Sequence, residues 1–177
     1  VARDIKAFLN FHQNQNLTLK LPESNISSIE NKGQDNISIK IEDSELCPRY
    51  IGALLDNVKI QPSPKWLQNR LKSIGLDPIN NVVDVTNFIM YEYGTPMHAF
   101  DRKHLKDEVV IKKAEKGTPF ITLDGVERTL NGEELMITSN GKNLCIAGVY
   151  GGLDSGVSES TTSIFLESAI FDATSVR

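Results

Sequence analysis

Two ionisable residues stand out from apolar surroundings. Glu167 is the only charged group in SIFLESAIF, among Ile164, Phe165, Leu166, Ala169, Ile170 and Phe171. His98 follows Pro96 near the end of NNVVDVTNFIMYEYGTPMHAFD, residues 80–101. A continuous apolar run reads as a strand covered on both faces, and there a carboxylate is dry and needs a partner or a raised pKa. Beside a cavity it could bind or exchange protons with a ligand. At a sheet edge it would simply point to water. Histidine can orient or weakly deprotonate a water, and no adjacent Ser or Cys calls for activation as a nucleophile. A lone histidine in a loop is otherwise a packed or capping residue.

Two further stretches carry polar chemistry. In residues 80–101, Asn81, Asp84, Thr86 and Asn87 interrupt the apolar side chains; they form either a solvated helix face or the wall of a wet cavity. GVYGGLDSG, residues 148–156, is either a bent strand and loop or a place where a ligand lies against bare backbone, with Gly148, Gly151 and Gly152 leaving room.

Several chemistries lack their signatures. No G-x-G-x-x-G opens a helix, and neither a P-loop nor G-x-S-x-G occurs. Cys47 and Cys145 are far apart and outside any Cys-x-x-Cys pair, which points to two reduced, packed thiols. With a net charge of -4 and pI near 5.4, autonomous tight binding of nucleic acid is disfavoured, although a larger assembly could bring the domain to RNA. At 177 residues, 40% hydrophobic and 24% charged, the chain reads as soluble and globular. It has no apolar run of membrane-spanning length and no signal core, so the default expectation is the cytoplasm. The first residue, Val1, suggests a piece of a longer chain.

The elements that must position these residues divide into early helices and late strands. Val1, Ile5, Phe8 and Leu9 predict an amphipathic helix over residues 1–11. Pro22 to Asn36 has almost no large apolar group and reads as a linker. ISIKI and a segment from about Tyr50 to Ile60 read as strands. SPKWLQNRLKSIG predicts a helix opening at Ser63 with Pro64 in the first turn, Trp66, Leu67, Leu71 and Ile74 on one face, and a stop at Gly75. The next helix puts Val82, Val85, Ile89 and Tyr93 on one face, Asp84, Asn87 and Tyr91 on another, and ends at Gly94. His98 falls in the following turn. After Lys106 come strands in EVVIKKA, PFITLDGVERTL, ELMITSNGKNLCIAGVYGG and SIFLESAIF, with tight hairpins at Asp124-Gly125 and Asn140-Gly141. The fold class is α+β with a mostly antiparallel sheet.

NNVVDVTNFIMYEYGTPMHAFD, TLDG, GVYGG and FLESAIF, in that order, resemble the editing module of the bacterial phenylalanyl-tRNA synthetase beta chain, formed by its third and fourth domains. The resemblance covers about Cys47 to Arg177, and VARDIKAFL resembles the end of the domain before the module. It implies a tail and linker over residues 1–36 and a tRNA-editing domain over residues 37–177, three-layered, with a central ligand cavity. The implied activity is hydrolysis of tyrosine wrongly esterified to the phenylalanine tRNA. That step uses no ATP or metal; the whole enzyme uses ATP and magnesium at an aminoacylation site on its alpha chain. The implied partners are the mischarged tRNA and the alpha chain, with neither membrane nor DNA.

By the same match, Glu167 accepts the tyrosine hydroxyl and His98 positions or activates the attacking water. Thr86 and Asn87 lie by the amino-acid end of the pocket, and Gly148 and Gly151 line it. The family pattern continues past the glutamate into a Thr-Asp-Ala segment that completes the pocket, and Arg177 precedes it. A second site has a physical rationale, because a hydrophobic pocket rejects a ligand that merely adds a hydroxyl by only about 10²-fold. A pocket built to hydrogen-bond the phenol inverts the problem, since phenylalanine would leave its buried acceptor unpaired. Two other classes remain: a non-catalytic module that positions tRNA or the partner subunit, and a free-standing deacylase or amino-acid-binding protein.

Overall fold

A computed structural model describes residues 1–21 and 36–177. These fall into two compact units, one containing residues 1–21 and the other residues 36–177. The expected linker lies outside the described residues except for Asn36. In the first unit, helix α1 (Ala2–His12) matches the expected amphipathic segment, with Ile5, Phe8 and Phe11 exposed. The Asn10 side chain bonds the Leu17 backbone in both directions and ties down the chain beyond the helix. No helix among the described residues is long and apolar enough to cross a membrane.

The second unit has three layers. Strands β2 (Arg49–Leu55), β3 (Met97–Asp101) and β10 (Ile164–Ile170) form an antiparallel sheet in the order β2-β10-β3. A larger sheet joins β1 (Ser38–Ile41), β4 (Glu108–Lys113), β7 (Leu135–Ser139), β8 (Lys142–Ile146) and β9 (Tyr150–Gly151); only the β1–β4 pair is parallel. Two short strands, β5 (Pro119–Ile121) and β6 (Glu127–Thr129), form a separate hairpin. Helices α2 (Lys65–Ser73) and α3 (Asn81–Tyr93) make the third layer, and a single turn, α4 (Ala173–Val176), follows β10.

Alternation along β10 separates the layers. Phe165 joins Tyr50, Phe100, Ile111, Leu135 and Ile137 in the core between the sheets. Ile164 and its neighbour Leu166 pack instead with Ala99 and Val82, on the side of α3. A Cβ on Gly52 would stand 2.1 Å from Phe165 Cζ, so β2 requires glycine where that ring lies.

Several local expectations change. β2 ends at Leu55, not near Ile60, and Asn57 soon adopts a left-handed φ of 57°. The Ser63 hydroxyl does not cap α2; it donates to Asp84 Oδ2 at 2.5 Å. α3 is well capped, with Asn80 Oδ1 accepting from the Val82 and Val83 amides and Gly94 at φ 78°. Its buried face, however, carries Asp84 and Thr86 beside Val82, while Val85 and Tyr93 are exposed. Asn140-Gly141 makes the expected hairpin with both φ angles positive. At 124–125 only Gly125 is positive, because the Asp124 carboxylate accepts from Thr122 Oγ1 and the Val126 amide within a wider loop.

The expected turn around His98 is strand β3. Its pairing partner lies far along the chain in β10, so no local signal announces it.

Candidate functional site

β10 is central, paired on both edges, and Glu167 is 6% exposed. The edge-strand alternative therefore does not hold. In register, Glu167 stands opposite Gly52 on one side and His98 on the other. Residues directly opposite in antiparallel strands project from the same face, so His98 and Glu167, about 70 residues apart in sequence, are nearest neighbours across the sheet. Both face the five-stranded sheet.

A cavity of about 740 Å³ opens on that face, lined by His98 and Glu167 together with Cys145, Gly148, Gly151 and Arg177. This volume lies within the range of small-molecule sites. Four of the residues singled out in the sequence, His98, Glu167, Gly148 and Gly151, thus line one cavity. Thr86 and Asn87 do not line it. They lie on α3, in the layer behind the three-stranded sheet, and the Thr86 hydroxyl donates to the Val83 carbonyl of its own helix at 2.8 Å. α3 reaches the cavity only through its last turn and the residues after it, Met90 and Gly94 to Pro96. The polar stripe of residues 80–87 is therefore not a cavity wall in this structure; its buried acid, Asp84, is occupied by Ser63 and by the Ile79 amide.

Gly151 makes room for the histidine, and Gly148 for the turn after β10. A Cβ on Gly151 would lie 3.0 Å from His98 Cε1 and 3.4 Å from Nε2, and one on Gly148 would lie 3.0 Å from Val176 Cγ2 at a φ of 69°. Phe100 meets the imidazole edge-to-face with centroids 4.5 Å apart. Buried Nε2 of His98 has no hydrogen-bond partner among the described residues. Burial lowers the histidine pKa to about 4, so the ring is neutral at physiological pH.

Glu167 has the opposite displacement from the same cause. Burial raises its pKa to about 7, while a hydrogen bond from Tyr50 acts to lower it. Tyr50 Oη donates to Glu167 Oε2 at 2.7 Å, and burial beside that carboxylate pushes the phenol far above its ordinary pKa. The sequence marks neither Tyr50 nor Cys145 as a site residue, Cys145 reading only as a packed thiol. Tyr50 is the second residue of the alternating strand RYIGALL, two positions before the glycine that opposes Glu167, but only the sheet register reveals that relation. No group of three or more His, Cys, Asp or Glu among the described residues could hold a metal ion.

Comparison with known proteins bears on the same region. The family profile described as B3/4 domain matches residues 46–177. A phenylalanine-tRNA ligase beta subunit from Porphyromonas gingivalis is 50% identical over 179 residues, and one from Bacteroides fragilis is 49% identical over 178. Each match covers the whole of this chain, which spans about 22% of the length of those relatives. An N-terminal fragment of the phenylalanyl-tRNA synthetase beta subunit from Pyrococcus horikoshii superposes with a TM-score of 0.61 at 17% identity, over 99% of this chain and 51% of that one. At that identity the likeness concerns the fold.

Proposed function

Because the chain belongs to the B3/4 domain family, we propose that it is the editing region of a phenylalanine-tRNA ligase beta subunit, whose cavity hydrolyses tyrosine mis-esterified to the phenylalanine tRNA. The observation that carries this reading is the register pair His98–Glu167 at the wall of one cavity. The names of the relatives support the assignment to a ligase beta subunit. The alpha chain and the mischarged tRNA are then its partners, and the cytoplasm is where it works. ATP and magnesium serve the aminoacylation site on the alpha chain and take no part in this hydrolysis.

In this reading Glu167 receives the phenol of the misattached tyrosine. A phenylalanine ring in the same place would leave a buried carboxyl oxygen without a donor, a loss that polar sites convert into discrimination of about 10⁴–10⁵. Water attacks the ester carbonyl, the bond to the ribose oxygen breaks, that oxygen leaves protonated, and tyrosine departs as a carboxylate. His98 takes the attacking water as the hydrogen-bond partner its Nε2 lacks, which requires that buried atom to open to the cavity. With its conjugate acid near pKa 4, the imidazole serves more as an orienting acceptor than as a strong base. A purely structural spacer would fill the space around Glu167 and pair it with a lysine; Glu167 is bonded instead to a tyrosine beside a cavity.

The test is deacylation by the assembled ligase. Glu167→Ala should lower the preference for the tyrosyl over the phenylalanyl ester by at least about 10²-fold, and His98→Ala should slow tyrosyl ester hydrolysis by about 10²-fold. Unchanged preference and rate in both variants would refute the reading.

A further inference from the structure

Glu167 has two carboxylate oxygens, and the protein uses one of them. Oε2 accepts the Tyr50 hydroxyl, whereas Oε1 has no hydrogen-bond partner among the described residues. Glu167 lines the cavity and Tyr50 does not, so the tyrosine approaches from the packed side. It is held there firmly: Tyr50 is 8% exposed, its ring stacks on Phe165 with centroids 6.5 Å apart and planes 18° apart, and both belong to the core between the sheets. Gly52, between Tyr50 and Leu54 on the same face of β2, leaves the space that Phe165 fills.

We propose that Tyr50 is a positioning residue for substrate selection: its hydroxyl fixes the Glu167 carboxylate so that one oxygen is occupied from within and the other is presented to a phenol entering the cavity. This rests on the editing reading above and adds a residue to it. The protein's own phenol thus sets the geometry in which a substrate phenol is recognised. Because Tyr50 stays protonated, it always donates, and its bond favours the ionised carboxylate, the form best able to accept a second hydrogen bond.

The other titratable groups near Glu167 are Cys47 ahead of β2, His98 on β3, Cys145 on β8, and Tyr150 and Arg177 at the cavity wall. Burial holds Cys47 up to about 11 and Cys145 well above its ordinary range, and His98 is neutral above about 4. Of Cys47, His98, Cys145 and Glu167, the last, with a pKa near 7, is then the one that changes charge around neutrality.

The experiment measures the ratio of tyrosyl to phenylalanyl ester hydrolysis by the assembled ligase from roughly pH 5.5 to about 9. The ratio cancels the pH dependence common to both esters. In the unmodified enzyme it should rise with pH through a midpoint near 7. Tyr50→Phe, which keeps the ring, should reduce the ratio about tenfold or more at neutral pH and move the midpoint up by about one unit. A 3,5-difluorotyrosine placed at position 50, a stronger donor of nearly the same shape, should move the midpoint down; it decides the question alone if the phenylalanine variant does not fold. If Glu167→Ala abolishes the preference while neither change at position 50 moves the midpoint or the ratio, Tyr50 is packing only and the proposal is overturned. If Glu167→Ala leaves the preference intact, the editing reading fails first, and the role of Tyr50 with it.

Discussion

Asp84 and Glu167 are both buried acids in apolar stretches, yet they sit in different layers and have different surroundings. Asp84, 0% exposed, lies in the helical layer, where Oδ2 accepts from Ser63 and Oδ1 from the Ile79 amide at 2.8 Å. Both oxygens are used, and the carboxylate joins the segment before α2 to the turn before α3. Glu167 lies between the sheets with one oxygen bonded and a cavity beside it. Burial alone therefore does not distinguish the two acids. What sets the two apart is which oxygens the fold leaves open: each Asp84 oxygen has a protein donor, whereas Glu167 keeps one without a donor beside the cavity.

Replacing the acids separates these roles. Asp84→Ala strands two donors in the helical layer and should cost about 3 kcal/mol of stability, read from denaturant midpoints, while the folded enzyme keeps its preference between esters. A loss of preference without a loss of stability would place Asp84 in the site and break the contrast. Glu167→Gln sharpens it through pH. The native carboxyl, near pKa 7, binds more protons than the unfolded one, near 4.5, so its contribution to stability falls as pH rises between those values. His98 acts oppositely: at about 4 in the fold and 6.5 unfolded, it makes stability rise with pH over that interval. Between pH 4.5 and 6.5 these two slopes offset one another. Glu167→Gln should leave the histidine slope exposed, up to about 1.4 kcal/mol per pH unit, and curves parallel to the parent's would contradict this. Smallest is Ser63→Ala, which removes one of the two donors to Asp84 and should cost about 1 kcal/mol in the same denaturation measurement.

The parts of the fold legible from sequence are those whose causes are local. The caps of α3 at Asn80 and Gly94, the Asn140-Gly141 hairpin and the apolar run of β10 carry their own signals. His98 and Glu167 were legible as unusual residues, but their adjacency was not, since it depends on β3 pairing with β10. β3 itself was missed for the same reason. Periodicity also assigned the faces of α3 wrongly. It placed Val85 and Tyr93 with Val82 and put Asp84 on a separate polar stripe, solvated or lining a cavity, whereas Ser63, 21 positions earlier, bonds Asp84 and allows its burial beside Val82. Thr86 and Asn87 were assigned to the pocket by resemblance, and here they belong to the helix behind it.

The facing of His98 by Glu167 is a property of how three strands are aligned, and side chains alternate along each of them. Sliding β10 by a single position would send the carboxylate into the helical layer and strip Phe165 from the core in the same movement. Substitutions at either residue could retune what the cavity accepts, but the cavity cannot migrate within this fold, because its location and the cohesion of the domain are one geometric fact.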